Sequence, residues 1–277
     1  MAAAARRTAI WILLSLLFNA LVWKLRGPDK ALEFLTGYVI EYALSVDNIF
    51  VFVIIFAYFK VPPMAQHRAL VWGILGALVM RGIMILLGVT LVSRFHFILY
   101  IFGIFLVVTG LRMLFGKAGE PDFGNSLVMR FCRNWIPITP EFYGEHFTAR
   151  PGNRWMLTPL GVALIVIDVM DLIFAVDSIP AVFAITQDPF IVYTSNICAI
   201  LGLRSLYFVV ARMMDRFVYL RTGLAFVLGF VGLKMIAADY FTVPTLISLG
   251  VIVLILAITV GISVLVTQNR GGPNNRK

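Results

Sequence analysis

Glu41-Tyr42-Ala43-Leu44-Ser45-Val46-Asp47-Asn48 lies inside a long apolar run and returns later as Asp171-Leu172-Ile173-Phe174-Ala175-Val176-Asp177-Ser178, two acids six residues apart in each. The echo continues in order. Gly76-Ala77-Leu78-Val79-Met80-Arg81 is answered by Cys198-Ala199-Ile200-Leu201-Gly202-Leu203-Arg204, each placing an arginine inside the next apolar run. Gly110-Leu111-Arg112-Met113 is then answered by Gly232-Leu233-Lys234-Met235. Three matches in order exceed what shared apolar composition produces. Each copy holds three apolar segments, and an odd number sets the second copy upside down relative to the first. Inverted repeats about a midplane polar site let two halves rock and expose that site to either side, so the topology points to transport.

Around these motifs the 277 residues are 61% apolar and 13% charged, with a mean hydropathy of +0.94, whereas soluble domains carry about 25% charged residues. Solubility in water is excluded. A crossing helix needs about 20 mainly apolar residues. Windows near that length fall at about 8–23, 32–59, 67–92, 95–115, 156–186, 190–211, 217–238 and 244–266. The fold class predicted is all-α: a polytopic helical membrane protein of about eight spans in a single transmembrane domain, 1–277. Repeat one covers about 32–115, a loop 116–155, repeat two 156–238, and spans 8–23 and 244–266 flank them. The first window follows Arg6 and Arg7 but runs into Lys24 without a small-residue cleavage site, so it reads as a retained helix.

The net charge of +9 does not form a stripe interleaved with aromatics, so nucleic acid is not an expected partner. The basic residues act as topology signals. Fifteen lie at the termini and in the connections near 60–68, 116–155 and 212–221, against four (Lys24, Arg26, Lys30 and Arg94) on the other side. The positive-inside rule then places both termini in the cytoplasm of a bacterial-type inner membrane. Cys132 and Cys198 make neither a disulfide framework nor a metal-ligand pattern.

Five acids and two arginines fall within spans: Glu41, Asp47, Asp168, Asp171 and Asp177, with Arg81 and Arg204. Together they cost on the order of 15–25 kcal/mol before pairing. Pairing two acids with the arginines leaves three negative charges, which suit a divalent cation. With Asn48 and Ser178 the donors are all hard oxygens, favouring magnesium, calcium or manganese. The expected metal-facing set is therefore Glu41, Asp47, Asn48, Asp168, Asp171, Asp177 and Ser178. Arg81 and Arg204 serve as structural clamps or internal counter-ions, the clamp being favoured because arginine keeps its proton and holds carboxylates bidentately. Six residues on a helix separate Glu41 from Asp47 by about 120°. Pro180 should kink the fifth span beside Asp177. Asp47 and Asp177 are thus expected to meet at a broken or bent midplane. Arg112 and Lys234, nearer span ends, read as snorkelling residues. His67, His96 and His146 fall at span ends or in loops and read as solvated, and the spaced glycines Gly73, Gly76, Gly103 and Gly110 read as close helix contacts.

At these residues the chain resembles the TerC family of membrane proteins, named for tellurium resistance, and in particular its Alx-like members. The likeness is carried by Glu41 through Asn48, Asp171 through Pro180 and Asn196 through Arg204, and extends from about residue 8 to nearly the end. It implies that Glu41, Asp47, Asp168, Asp171 and Asp177 are acidic transport residues and that manganese is the exported ion. The chain departs from the family's pattern at Asp168, where members commonly have Glu, and in its eight rather than nine spans.

The function expected is export of a divalent cation, most naturally manganese, coupled to protons because clustered carboxylates titrate together. No prosthetic cofactor and no enzymatic activity are expected. An intramembrane aspartyl protease is disfavoured, since the Gly-x-Gly-Asp signature is missing. The alternatives are a small-solute exporter of the lysine-exporter type, and a non-transporting scaffold meeting tellurium-resistance partners, or a second copy of itself, through loop 116–155.

Overall fold

A computed structural model describes residues 2–95, 97–115, 136–152, 154–211, 219–241 and 243–270. Among them are eight long helices: α1 (Ala2–Arg26), α2 (Pro28–Tyr58), α3 (Pro63–Arg94), α4 (Ile98–Phe115), α5 (Pro159–Phe183), α6 (Pro189–Val210), α7 (Leu220–Ile236) and α8 (Thr245–Arg270). They match the eight apolar windows one for one, and the protein is a polytopic all-α membrane protein. Seven are long and apolar enough to cross a membrane. The exception, α7, has 17 residues, short of the roughly 20 a crossing needs.

Local chemistry sets the helix starts. Proline opens α2, α3, α5 and α6, where its missing N–H is one the helix would leave unpaired anyway. Thr158 caps α5 by accepting from Gly161 N (3.2 Å), and Asp188 caps α6 by accepting from Phe190 N (3.0 Å) and Ile191 N (3.4 Å). The Thr158 cap also explains why α5 is shorter than its window. Met156–Leu157 instead pairs antiparallel with Thr148–Ala149 in a two-stranded ribbon. That ribbon belongs to the described part of the loop, where Arg68 stacks over Phe147 at 5.5 Å and Arg150 over Trp155 at 5.8 Å. Residues 116–135, with Cys132, and His96 lie outside the described residues.

Close contacts fix the helix directions. Gly73 meets Ile167 and Gly88 meets Phe183, so α3 and α5 run parallel. Gly37 meets Ser195 and Gly202 meets Tyr42, so α2 and α6 run parallel too. Gly103 packs on Gly232 and Gly110 on Ala225, which makes α4 and α7 antiparallel. Both described ends then lie on one face of the bundle, the terminal face, while Arg26, Arg94 and Asp188 stand at the far face. The segments α2–α4 and α5–α7 run in opposite senses. Their contacts also exchange: Gly37 with Ser195 corresponds to Ile167 with Gly73, and Gly103 with Gly232 to Ala225 with Gly110.

Of the expected break or bend, the break is absent: α2 runs unbroken over 31 residues and α5 runs through Pro180 over 25. Ser178 to Phe183 are all buried, so surrounding helices hold the turn that Pro180 deprives of one hydrogen bond.

Candidate ion site

Two helical registers bring the first acids together. Glu41 on α2 and Asp171 on α5 face Arg81 from α3, and all three side chains are almost wholly buried. Arg81 grips Asp171 bidentately, Nη2 to Oδ1 at 3.0 Å and Nε to Oδ2 at 3.1 Å. Its Nη1 donates to Glu41, to Asn196 Oδ1 (3.2 Å) and to Ser178 Oγ (3.3 Å). Planar guanidinium suits this fork, and the pairing supplies charge that the low-dielectric interior would otherwise refuse. The formal charges of the two acids and the arginine sum to −1. Glu41 Oε2 and Asn196 Nδ2 are buried without a hydrogen-bond partner among the described residues.

The other two acids of the repeated motif share a different place. Asp47 on α2, about one and two-thirds turns beyond Glu41, and Asp177 on α5 both line a cavity of about 490 Å³. Asn48 joins them, and Thr109 on α4 donates to Asp177 Oδ1 at 3.3 Å. The cavity runs from Leu44 and Leu228, deep in the bundle, towards Ile54, Met113 and Arg221 near the terminal-face ends of their helices. Asp47 makes no hydrogen bond or ion pair with a described residue. Among the described residues no three His, Cys, Asp or Glu side chains converge as a metal cage would require. The cavity instead offers two carboxylates and an amide, a donor set that would leave a bound divalent ion several water ligands, as magnesium-like ions commonly keep.

The seven residues of the expected metal-facing set lie in different places. Glu41, Asp171 and Ser178 surround Arg81; Asp47, Asn48 and Asp177 line the cavity; Asp168 stands apart, its carboxylate laid against Gly76 of α3, where a Cβ would come within 3.1 Å of Oδ1. Of the two arginines, Arg204 does not join the acids. Its Nη2 lies 3.4 Å from His67 Nδ1. The reason is rotational. Equivalent packing pairs Gly73 with Ser195 across the halves, 122 positions apart, which makes Leu203 the counterpart of Arg81. Arg204 is one residue further, about 100° around the helix, so aligning the two arginines conceals a slip. Thr109 and Arg221 were not singled out from sequence. By sequence Arg221 falls among the basic residues near 212–221, whereas in the fold it is the second residue of α7.

A second cavity, of about 660 Å³, opens at the far face between the start of α2 and the ends of α5 and α7. Asp188 pairs with Arg26 at 3.0 Å and with Lys30 at 3.8 Å, and Lys30 pairs with Glu33 at 2.7 Å. Thr186 donates to Glu33 at 2.5 Å. These contacts tie α1 and α2 to the α5–α6 connection. Lys234, also lining this cavity, contacts none of these acids.

The sequence matches the integral membrane protein TerC family model over residues 26–271. The chain belongs to the TerC family. Among TerC relatives, an uncharacterized membrane protein of Myxococcus xanthus is 47% identical over 262 residues, covering 95% of this chain and 82% of the relative. The protein of Escherichia coli K12 named "Putative membrane-bound redox modulator Alx" is 46% identical over 281 residues, covering 97% and 88%. A membrane protein of Rickettsia bellii is 40% identical over 252 residues, covering 91% and 83%. No solved structure matches.

Proposed function

We propose that this TerC protein exports a divalent metal cation, with manganese the best-suited ion, through the cavity shared by Asp47 and Asp177. The observation that carries the reading is that these two carboxylates, from oppositely running helices, line one cavity of about 490 Å³. Hard oxygen donors favour manganese or magnesium over thiophilic metals. Glu41 and Asp171 are already neutralised in large part by Arg81. They hold α2, α3 and α5 together rather than ligating cargo. Proton exchange is the natural counter-flow, because two neighbouring carboxylates can trade a shared proton for a cation.

Release to the other side would follow from exchange of the two halves. The cavity beside Asp47 and Asp177 extends towards the terminal face, and the second cavity approaches from the far face. Buried apolar side chains separate them, among them Leu106, Ile179, Val182 and Val231. With the basic connections in the cytoplasm, the terminal face is the loading side. Manganese is itself redox-active, so its carriage would bear on the role that the Alx relatives' name gives them.

Manganese accumulation by inverted membrane vesicles tests the reading. Wild type should accumulate the ion, and Asp47→Asn and Asp177→Asn should each reduce the initial rate by at least about tenfold, since loss of even an outer-shell partner of a metal ligand typically costs about 10–100-fold. Undiminished transport by the double variant would remove the cavity from the pathway.

A further inference from the structure

The cavity contains a cation of its own. Arg221, half-buried at the second residue of α7, lines the same space as Asp47 and Asp177 and lies within electrostatic range of Asp47. It makes no hydrogen bond or ion pair with a described residue. Two other arginines within the helices have fixed partners. Arg81 is locked by five hydrogen bonds to four side chains, and Arg26 by Asp188. Guanidinium cannot shed its proton, so a half-buried arginine that no described residue holds keeps its charge on a flexible stem.

Exchange of the two halves also separates a functional arginine from a merely structural one. Gly110 and Gly232 correspond across α4 and α7, and the same spacing makes Leu99 the counterpart of Arg221. Leu99 lines the far-face cavity. The fold therefore builds this corner with an apolar residue in one half and a cation in the other. A packing requirement common to both halves does not account for the charge.

We propose that Arg221 is the tethered counter-cation of the Asp47–Asp177 cavity, a side chain that an incoming divalent ion must displace and that thereby sets how tightly the cavity holds its cargo. The inference rests on the transport reading above. Without metal, the guanidinium offsets part of the charge on the two carboxylates. A divalent ion brings a second positive charge to the same donors and pushes the arginine towards the terminal face, where its long stem can reach headgroups or water. Affinity is lowered by this competition, which suits a carrier that has to release what it binds.

The experiment uses the full chain, purified in detergent with Cys132 and Cys198 replaced by alanine, and reads Mn²⁺ binding from loss of the free-ion electron paramagnetic resonance signal. Arg221→Gln and Arg221→Cys should bind Mn²⁺ at least about tenfold more tightly than wild type, as removal of one like charge from the same cavity implies. Arg221→Lys should stay near wild type. Attaching an aminoethyl group to the thiol introduced by Arg221→Cys, with a methanethiosulfonate, should restore weak binding, whereas a methyl group should not, a difference a folding defect cannot mimic. A metal-free arm places the side chain independently: a cationic methanethiosulfonate should label the Arg221→Cys variant faster than an anionic one, and the preference should vanish when Asp47→Asn and Asp177→Asn are added. Equal Mn²⁺ affinity in Arg221→Gln and wild type, or a charge preference that survives loss of both acids, overturns the proposal. If the preference depends on the acids but no variant binds Mn²⁺, the manganese reading fails while the counter-ion placement stands.

Discussion

Removing the Arg81 guanidinium would leave Glu41 and Asp171, 1% and 3% exposed, with their charges buried and uncompensated. Deleting one partner of such a buried group costs about 3–5 kcal/mol, while replacing the whole set with neutral groups is far milder. Arg81→Met should therefore lower the thermal unfolding midpoint in detergent sharply, and adding Glu41→Gln and Asp171→Asn should recover most of the loss. A single variant as stable as wild type would show that the pairing contributes nothing. The acids were legible at this scale because an ionised group inside an apolar run is conspicuous in sequence. Their partners were not. Which acid meets which cation depends on rotation about each helix, and the one-residue slip between Arg81 and Arg204 is invisible until Gly73 and Ser195 are seen to occupy equivalent contacts. Asp47 and Asp177, expected to meet at a broken or bent midplane, line one cavity on unbroken helices, while Glu41 and Asp171 gather separately around one arginine.

Helices α4 and α7 approach so closely that glycine is required at their crossing. A Cβ on Gly110 would stand 2.7 Å from the Ala225 carbonyl oxygen, and one on Gly232 would stand 2.7 Å from that of Gly103. Both obstacles are backbone, which cannot turn aside as a side chain could. Gly110→Ala and Gly232→Ala should each destabilise the folded protein by about 1–3 kcal/mol. Gly229 and Gly250 have open space where a Cβ would go. Alanine there should be neutral or gain up to about 1 kcal/mol from helix propensity. Unfolding midpoints of the four variants compare the two classes directly, and equal behaviour would mean that the α4–α7 contact is looser than the geometry states. Elements of this kind were well marked in sequence, since apolar length sets the number and place of spans. Their ends were less so: Thr158 and the Met156–Leu157 ribbon shorten α5 through hydrogen bonds that composition does not announce. Pro180 leaves the helix whole because its turn is enclosed by neighbours.

Opposed chain directions in the two halves allow the whole molecule to be compared with its own inverse. On α2 and α5 the residues correspond at the spacing of Asp47 and Asp177, and on α4 and α7 at that of Gly110 and Gly232. The terminal-face cavity is lined by Val51 and Thr109, whose counterparts are Ala181 and Val231, both wholly buried. If the halves trade conformations during transport, these two buried positions become the wall of a pathway opening to the far face, while Val51 and Thr109 close. Single cysteines in a chain lacking Cys132 and Cys198 can follow this. Val51→Cys should react with a membrane-impermeant thiol reagent applied at the terminal face; Ala181→Cys and Val231→Cys should react only from the far face. Because one equilibrium governs both routes, a condition that favours one state must change the two reactivities in opposite directions. Saturating Mn²⁺ should therefore raise one and lower the other. Transport with Ala181→Cys and Val231→Cys inert from both sides would mean that the ion crosses without exchange of the halves, and that the correspondence between them reflects how the chain is built rather than how it moves.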